Sequence, residues 1–292
     1  MPAAPQPRLK ILKTYKLFIG GKFPRPEGGR VLTAANPADG THLAHYGRAS
    51  KKDLRDAVTS ARLALPALAA HSATLRGQML YRLAEMLESR AASFAAELTA
   101  STGSPADSEV NAAIDRLVYL AGWTDKLSQV FSSINPVAGP YFNVSSLDPV
   151  GVVVAFAPDR LPLLAAVTLI GNALAAANSV ILIPSDPFPL PALSLAEAIA
   201  TSDLPPGSVN ILSGLRAELA PAAASHRDID ALVDAAADPA TAALLQVGRA
   251  VNLKRLSHFP PHLDWADHDQ ASSPYRLLEL TETRTTWHPV GA

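Results

Sequence analysis

Between residues 150 and 256 the chain alternates short apolar runs with helix-length segments, and this alternation restricts its fold more than any other feature. Residues 150–156, 179–183, 209–212, 229–233 and 253–256 read as strands. Residues 161–176, 191–201, 218–225 and 239–250 read as the helices between them. Strands that alternate with helices of this length build a doubly wound, Rossmann-like parallel sheet. Such a sheet binds its ligands at the carboxyl edge. Residues 161–184 carry no charge and are long enough to cross a bilayer, but Asn172, Asn178 and Pro184 interrupt them. A buried helix followed by a buried strand fits that stretch better than a membrane span.

The flanking regions have a different texture. Residues 1–16 place Pro and Lys where a signal peptide needs a long apolar run, so they read as a disordered lead, and the expected location is the cytoplasm. Residues 17–131 begin with short strand-like runs broken by Gly-Gly, Pro and Asn-Pro, read as a small antiparallel element. Three helices follow. The first opens at Ser50, capped ahead of Asp53, and buries Leu54, Ala57, Val58, Ala61, Leu65 and Leu68. The second spans 74–100, and the third carries Val110, Ile114, Leu117 and Leu120 toward Val130. Residues 132–148 alternate around a Pro-Gly centre, like a protruding two-stranded arm. The acceptor pattern Asn143-Val144-Ser145 within it is discounted for want of a secretory signal. After the α/β core (149–257), residues 258–273 read as a solvated loop and 274–292 as a polar tail with extended character near 283–287.

Charge and composition remove several function classes. With 25 basic against 26 acidic residues there is no field to hold a nucleic acid. The complete lack of cysteine excludes a disulfide framework, a thiolate-ligated metal and a cysteine nucleophile. His258, His262, Asp264 and His268 are not expected to bind metal, because Pro260 and Pro261 prevent the helix that would align the first two. Gly20-Gly21 and Gly28-Gly29 read as turn glycines, since no strand–loop–helix context surrounds them.

Six motifs in order resemble the aldehyde dehydrogenase superfamily. LFIGGKF (17–23) and NPADG (36–40) are similar to its N-terminal strands. PVGVV (149–153), NSVILIPSD (178–186), LPPGSVNILSG (204–214) and NLKR (252–255) resemble its cofactor-domain landmarks. The resemblance implies a cofactor-type domain and a family chemistry in which a cysteine thiolate attacks an aldehyde, hydride passes to NAD(P), and a glutamate activates water.

Most of the residues that the resemblance would assign are replaced. The glutamate of the family's LELGG segment falls at Phe259, in SHFPPH. The asparagine of PWNFPL, which supplies the oxyanion donor, falls at Arg160 in PDRLPL, with Asp159 in place of the tryptophan and Pro158 ahead of it. The ribose-binding KPSE segment reads Ile183-Pro184-Ser185-Asp186, and the pyrophosphate-binding FTGS reads Asp234-Ala235-Ala236-Ala237. An aspartate beside a diphosphate repels it. The degenerate cofactor position is therefore expected at Pro158, Arg160, Ile183, Ser185 and Asp186, with no bound cofactor expected and at most weak NAD(P) affinity.

About twenty residues separate Arg255 from the tail, where the family inserts a whole catalytic domain. The tail itself is similar to the C-terminal segment of some bacterial members. In the family, arm and tail make the oligomer, so Tyr141, Phe142, Val144, Thr285 and Trp287 are expected at an interface. A chain that keeps its arm without the domain on which such arms dock resembles the degenerate second module of two-module aldehyde dehydrogenases. The expected role is a pseudoenzyme subunit, not catalytic on its own, that pairs with a full-length NAD(P)-dependent aldehyde dehydrogenase. The alternative is a protein whose residual dinucleotide binding contributes to aldehyde oxidation within such a complex; a third reading is a stable relic.

Overall fold

The computed structural model describes residues 11–291. Its N-terminal strands are β1 (Thr14–Tyr15), β2 (Val31–Ala35) and β3 (His42–Gly47), in the order β1-β3-β2. Within residues 17–47, where an antiparallel element is expected, β2 pairs β3 antiparallel; β1, which precedes that range, adds to β3 in parallel. Of the expected lead, residues 1–10 lie outside the described residues. Thr14–Tyr15 is nevertheless ordered strand, because Tyr15 is buried and its hydroxyl donates to Glu97.

Four helices follow: α1 (Lys51–Ala70), which packs with the helix Arg216–Ser225 on one face of the central sheet, and α2 (Ala73–Glu88), α3 (Ala91–Thr102) and α4 (Asp107–Ala121), which lie on the other face, followed by the short α5 (Lys126–Phe131). Ser50 caps α1 in a reciprocal box with Asp53. The single helix expected over 74–100 is two. Ser89 Oγ and Arg90 Nη1 both donate to the Met86 carbonyl, satisfying the end of α2, and Arg90 leaves helical geometry at φ −115°, ψ 8°. The third expected helix likewise breaks after α4, at residues 122–125.

The arm comprises β4 (Ser133–Asn135) and β5 (Tyr141–Pro149). The core then runs β6 (Val152–Phe156), α6 (Pro162–Ala175), β7 (Ser179–Ile183), α7 (Leu190–Ile199), β8 (Val209–Ile211), α8 (Arg216–Ser225), β9 (Ala231–Asp234), α9 (Pro239–Gly248) and β10 (Arg255–His258). All neighbours in this five-stranded sheet are parallel, in the order β10-β9-β6-β7-β8. Its free edge at β8 is extended by Phe18, whose N–H and carbonyl exchange hydrogen bonds with Ile211. Every residue of α6 is buried, as expected for a helix that is apolar all round and clasped between the sheet and α4. No helix among the described residues is long and apolar enough to cross a membrane.

The segment after β10 departs from expectation. It is not a solvated loop: Phe259, Leu263, Trp265 and Ala271 are all buried, and it contains α10 (His268–Ala271). Phe259 stacks on Trp265 with ring centroids 5.3 Å apart. Arg116 of α4, only 1 % exposed, donates to the Trp265 carbonyl (2.8 Å), Ser272 Oγ (3.1 Å), Thr168 Oγ1 (2.8 Å) and His268 Nδ1 (3.1 Å). Asn172 of α6 donates to the Ala271 carbonyl. Apolar anchors and these hydrogen bonds thus fix the segment onto α4 and α6. The polar side chains at 262, 264 and 269 remain on its outer surface.

The short α11 (Pro274–Leu278) leads into β11 (Thr281–Pro289), which pairs antiparallel with the whole of β5, from Thr281 opposite Pro149 to Pro289 opposite Tyr141. Asn178 ties this strand to the core: its amide donates to the Leu280 carbonyl, and its Oδ1 accepts from Gly151 N–H. The resulting sheet has the order β11-β5-β4. Asn143 is 2 % exposed and its side chain accepts from Asn135, so it is no accessible glycosylation site.

Candidate functional site

The strand order reverses direction at β6, whose neighbours are β7 on one side and β9 on the other, so the crevice of a doubly wound sheet opens at the carboxyl ends of these strands. Four segments meet there: 157–161 after β6, 184–189 after β7, 212–215 after β8 and 235–238 after β9. Leu161 and Ala237 adopt left-handed backbone, at φ 47° and 56°. For side chains other than glycine, that costs about 1–2 kcal/mol each.

A helix N-terminus presents unpaired N–H groups and partial positive charge, and a dinucleotide-binding sheet offers them to phosphate. In this chain carboxylates already occupy three of them. Glu109 of α4, buried, accepts from Leu163 and Leu164 N–H at the start of α6, at 2.8 and 3.1 Å. Burial raises its pKa above the usual carboxylate range, and the two N–H groups oppose the rise. Asp186 accepts from Arg216 N–H at the start of α8, at 3.2 Å. Asp238 caps α9, accepting from Thr241 N–H at 3.0 Å and Thr241 Oγ1 at 2.6 Å, and the threonine hydroxyl holds its pKa low.

Arg216 lies across the crevice. It is 7 % exposed, and its guanidinium pairs with Asp159 from the β6 loop. The same group lies 3.4 Å from Asp186 of the β7 loop and donates to the Ala236 carbonyl of the β9 loop at 3.5 Å. Ser185 Oγ donates to Asp159 at 2.8 Å and accepts from Phe188 N–H. Burial raises the pKa of Asp186, with the Arg216 charge opposing it. Beside this cluster Asp234 is 2 % exposed; one of its oxygens lies 3.1 Å from His258 Nδ1 and the other has no hydrogen-bond partner.

Of the residues expected to line a degenerate cofactor position, the fold brings Ser185 and Asp186 into this cluster. Ile183 turns into the core with no exposure, Pro158 is buried in the β6 loop, and Arg160 projects to solvent. Three residues central to the site escaped the sequence reading: Arg216, Glu109 and Asp238. Asp238-Pro239 carries a readable signal, an N-cap aspartate ahead of a proline at the first helical position. Arg216 and Glu109 have no local signal, since each acts across the chain.

The five expected interface residues share the arm sheet. Thr285 stands opposite Ser145, Trp287 opposite Asn143 and Thr286 opposite Val144. The Tyr141 and Trp287 rings meet edge to face at 5.8 Å, and both are exposed, as is Phe142. No group of His, Asp and Glu among the described residues is arranged to hold a metal ion.

The aldehyde dehydrogenase family profile matches residues 24–257. The chain belongs to the aldehyde dehydrogenase family. Relatives of this family member include retinal dehydrogenase 2 of Mus musculus, 32 % identical over 277 residues, an alignment covering 91 % of this chain and 53 % of the relative. The mitochondrial aldehyde dehydrogenase of Leishmania tarentolae is 30 % identical, with 83 % and 49 % covered. Among solved structures, the NAD+ complex of the Bacillus cereus aldehyde dehydrogenase superposes with a TM-score of 0.76 at 27 % identity, covering 85 % of this chain and 51 % of that one. An Escherichia coli NADP-dependent enzyme shares the fold with a TM-score of 0.80 at 23 % identity, covering 85 % and 51 %. The chain spans about half the length of the curated relatives it matches.

The fit of a dinucleotide to this family member can be judged from its own groups. Asp186, at the position that the resemblance gives to ribose binding, is bonded to Arg216, and N–H groups at the starts of α6, α8 and α9 are bonded to Glu109, Asp186 and Asp238. A diphosphate entering there would meet Asp159, Asp234 and Asp238. The residues present do not fit the group.

Proposed function

We propose that this chain is a non-catalytic member of the family that pairs, as a structural or regulatory subunit in the cytoplasm, with a full-length NAD(P)-dependent aldehyde dehydrogenase. The observation that carries this reading is the arm sheet. Its rings at Tyr141, Phe142 and Trp287, together with Ile134 at 70 % exposure, stand uncovered, while only residues 259–273 lie between β10 and α11. Exposed apolar sheet surface of this kind is a liability unless a partner covers it. The sequence supports the absence of catalysis. It has no cysteine, and Phe259, at the position that the family resemblance gives to the water-activating glutamate, is buried under Arg276, 4.3 Å above its ring.

Co-expression with a full-length aldehyde dehydrogenase of the same organism, followed by size-exclusion chromatography and turnover assays, tests the proposal. Co-elution with a changed oligomeric state or turnover supports it. A chain that migrates as a monomer and leaves the enzyme unaltered overturns it and favours the relic. The alternative, residual dinucleotide binding within such a complex, has Asp186 as its main support, and that carboxylate is bonded to Arg216.

A further inference from the structure

We propose that Arg216 is a built-in ligand of the switch-point crevice, so that this chain keeps its carboxyl edge closed without a dinucleotide and has no site for NAD or NADP. Arg216 touches the loops that follow β6, β7 and β9, the three strands around the crevice, through Asp159, Asp186 and the Ala236 carbonyl. A guanidinium fork suits this task because it is planar and permanently charged, and it can address several acceptors at once. The guanidinium is buried at 7 % exposure and Asp186 is half-buried beside it, while Asp159 reaches solvent and its share of the pairing is screened.

Three requirements of dinucleotide recognition are already used by the chain's own groups. The N–H groups of α6, α8 and α9 are paired with Glu109, Asp186 and Asp238. A ribose hydroxyl needs a carboxylate acceptor such as Asp186, and Arg216 engages that acceptor through both its backbone N–H and its guanidinium. The cation that a 2′-phosphate of NADP would seek is Arg216 itself, flanked by two carboxylates that repel the phosphate. The strained backbone at Leu161 and Ala237 borders the same crevice. The groups left without a hydrogen-bond partner here, Arg216 Nε and one oxygen of Asp234, do not make a diphosphate site, because each lies among carboxylates.

Thermal denaturation of the full chain, titrated with NAD+ and with NADP+, tests this directly. A site with a Kd of about 50 µM, filled at about 5 mM nucleotide, raises Tm by roughly 5 °C. The expected shift is under about 1 °C with either nucleotide. Arg216→Met is expected to lower Tm by roughly 6 °C or more, because it leaves Asp159 and Asp186 facing each other without their cation. Arg216→Met with Asp159→Asn recovers part of that loss. A saturable rise of about 5 °C in the wild type overturns the proposal, as does an Arg216→Met chain that melts within about 1 °C of it. Should Arg216→Met fail to fold, the wild-type titration alone decides. Co-elution with a full-length enzyme is read separately, so failure here leaves the subunit proposal standing.

Discussion

Replacing Arg116 by alanine is the sharpest perturbation of this fold, because the side chain joins α4 to the segment that follows β10. Its guanidinium reaches Trp265 O, Thr168 Oγ1, Ser272 Oγ and His268 Nδ1, all within 3.1 Å, and none of them is a carboxylate. Burial lowers its pKa to about 10, with Tyr119, Asp267 and Asp264 opposing the fall. That displacement corresponds to about 3 kcal/mol of burial cost in the wild type, which the substitution removes. Against this stand four charge-assisted hydrogen bonds at roughly 1.5 kcal/mol each, and a cavity of about 1–2 kcal/mol. The net loss is about 4 kcal/mol, or a Tm lower by roughly 8 °C for a domain of this size. Circular dichroism melting gives the global value. Hydrogen exchange should rise selectively at residues 263–272, the part of the segment that the arginine anchors. Lysine at this position should recover only part of the loss, because an ammonium cannot span acceptors on both sides of the joint. A Tm within about 2 °C of wild type, with exchange unchanged over that segment, refutes the reasoning.

Further expectations concern the caps, the buried acids and the arm. Glu109→Ala removes the carboxylate that accepts from Leu163 and Leu164 N–H at the N-terminus of α6 and should cost about 1–2 kcal/mol by urea denaturation. Glu97 has a pKa raised by burial, partly opposed by the Tyr15 and Ser194 hydroxyls that donate to it. The stability of a group raised in the fold is complete below its unfolded pKa and is lost as pH rises through the folded value. Glu97→Gln should therefore match the wild type below about pH 4.5 and become relatively more stable above it; a difference independent of pH contradicts this. Gly248→Ala would place a Cβ 2.4 Å from Ala224 Cβ where α8 packs on α9, and should destabilise by about 1–3 kcal/mol in the same urea assay. Trp287→Ala should leave Tm of the isolated chain nearly unchanged, since the ring is 57 % exposed, while weakening co-elution with a full-length partner.

What the sequence makes legible here divides along a physical line. The buried strands and α6 declare themselves because burial on all sides forces continuous apolar runs, and Ser50 and Asp53 declare α1 because capping is local. The arm was readable as two strands, but its third member, β11, pairs with β5 across about 140 residues, a distance at which pattern carries no information. The docking of residues 259–273 was obscured by their surface chemistry. Their prolines, histidines and aspartates outnumber the anchors Phe259, Leu263 and Trp265, and the receptor for those anchors, Arg116, sits on a helix that periodicity assigns to aliphatic packing. Within the crevice, the replacement of family residues at 158–160 and 183–186 was visible by comparison of motifs. The arginine that bridges them was not, because its role depends on three loops meeting in space.

The pairing of β5 with β11 also sets an order on synthesis. At about 5–20 residues per second, roughly 7–28 seconds separate the emergence of Ser145 from that of Thr285. During that interval β5 has only the three residues of β4 as a partner, and its other edge is an open template for any strand nearby. A nascent chain from a neighbouring ribosome, carrying the same nine-residue sequence, is the strand most available. Until β11 emerges, that edge of the arm is open to exchange between copies.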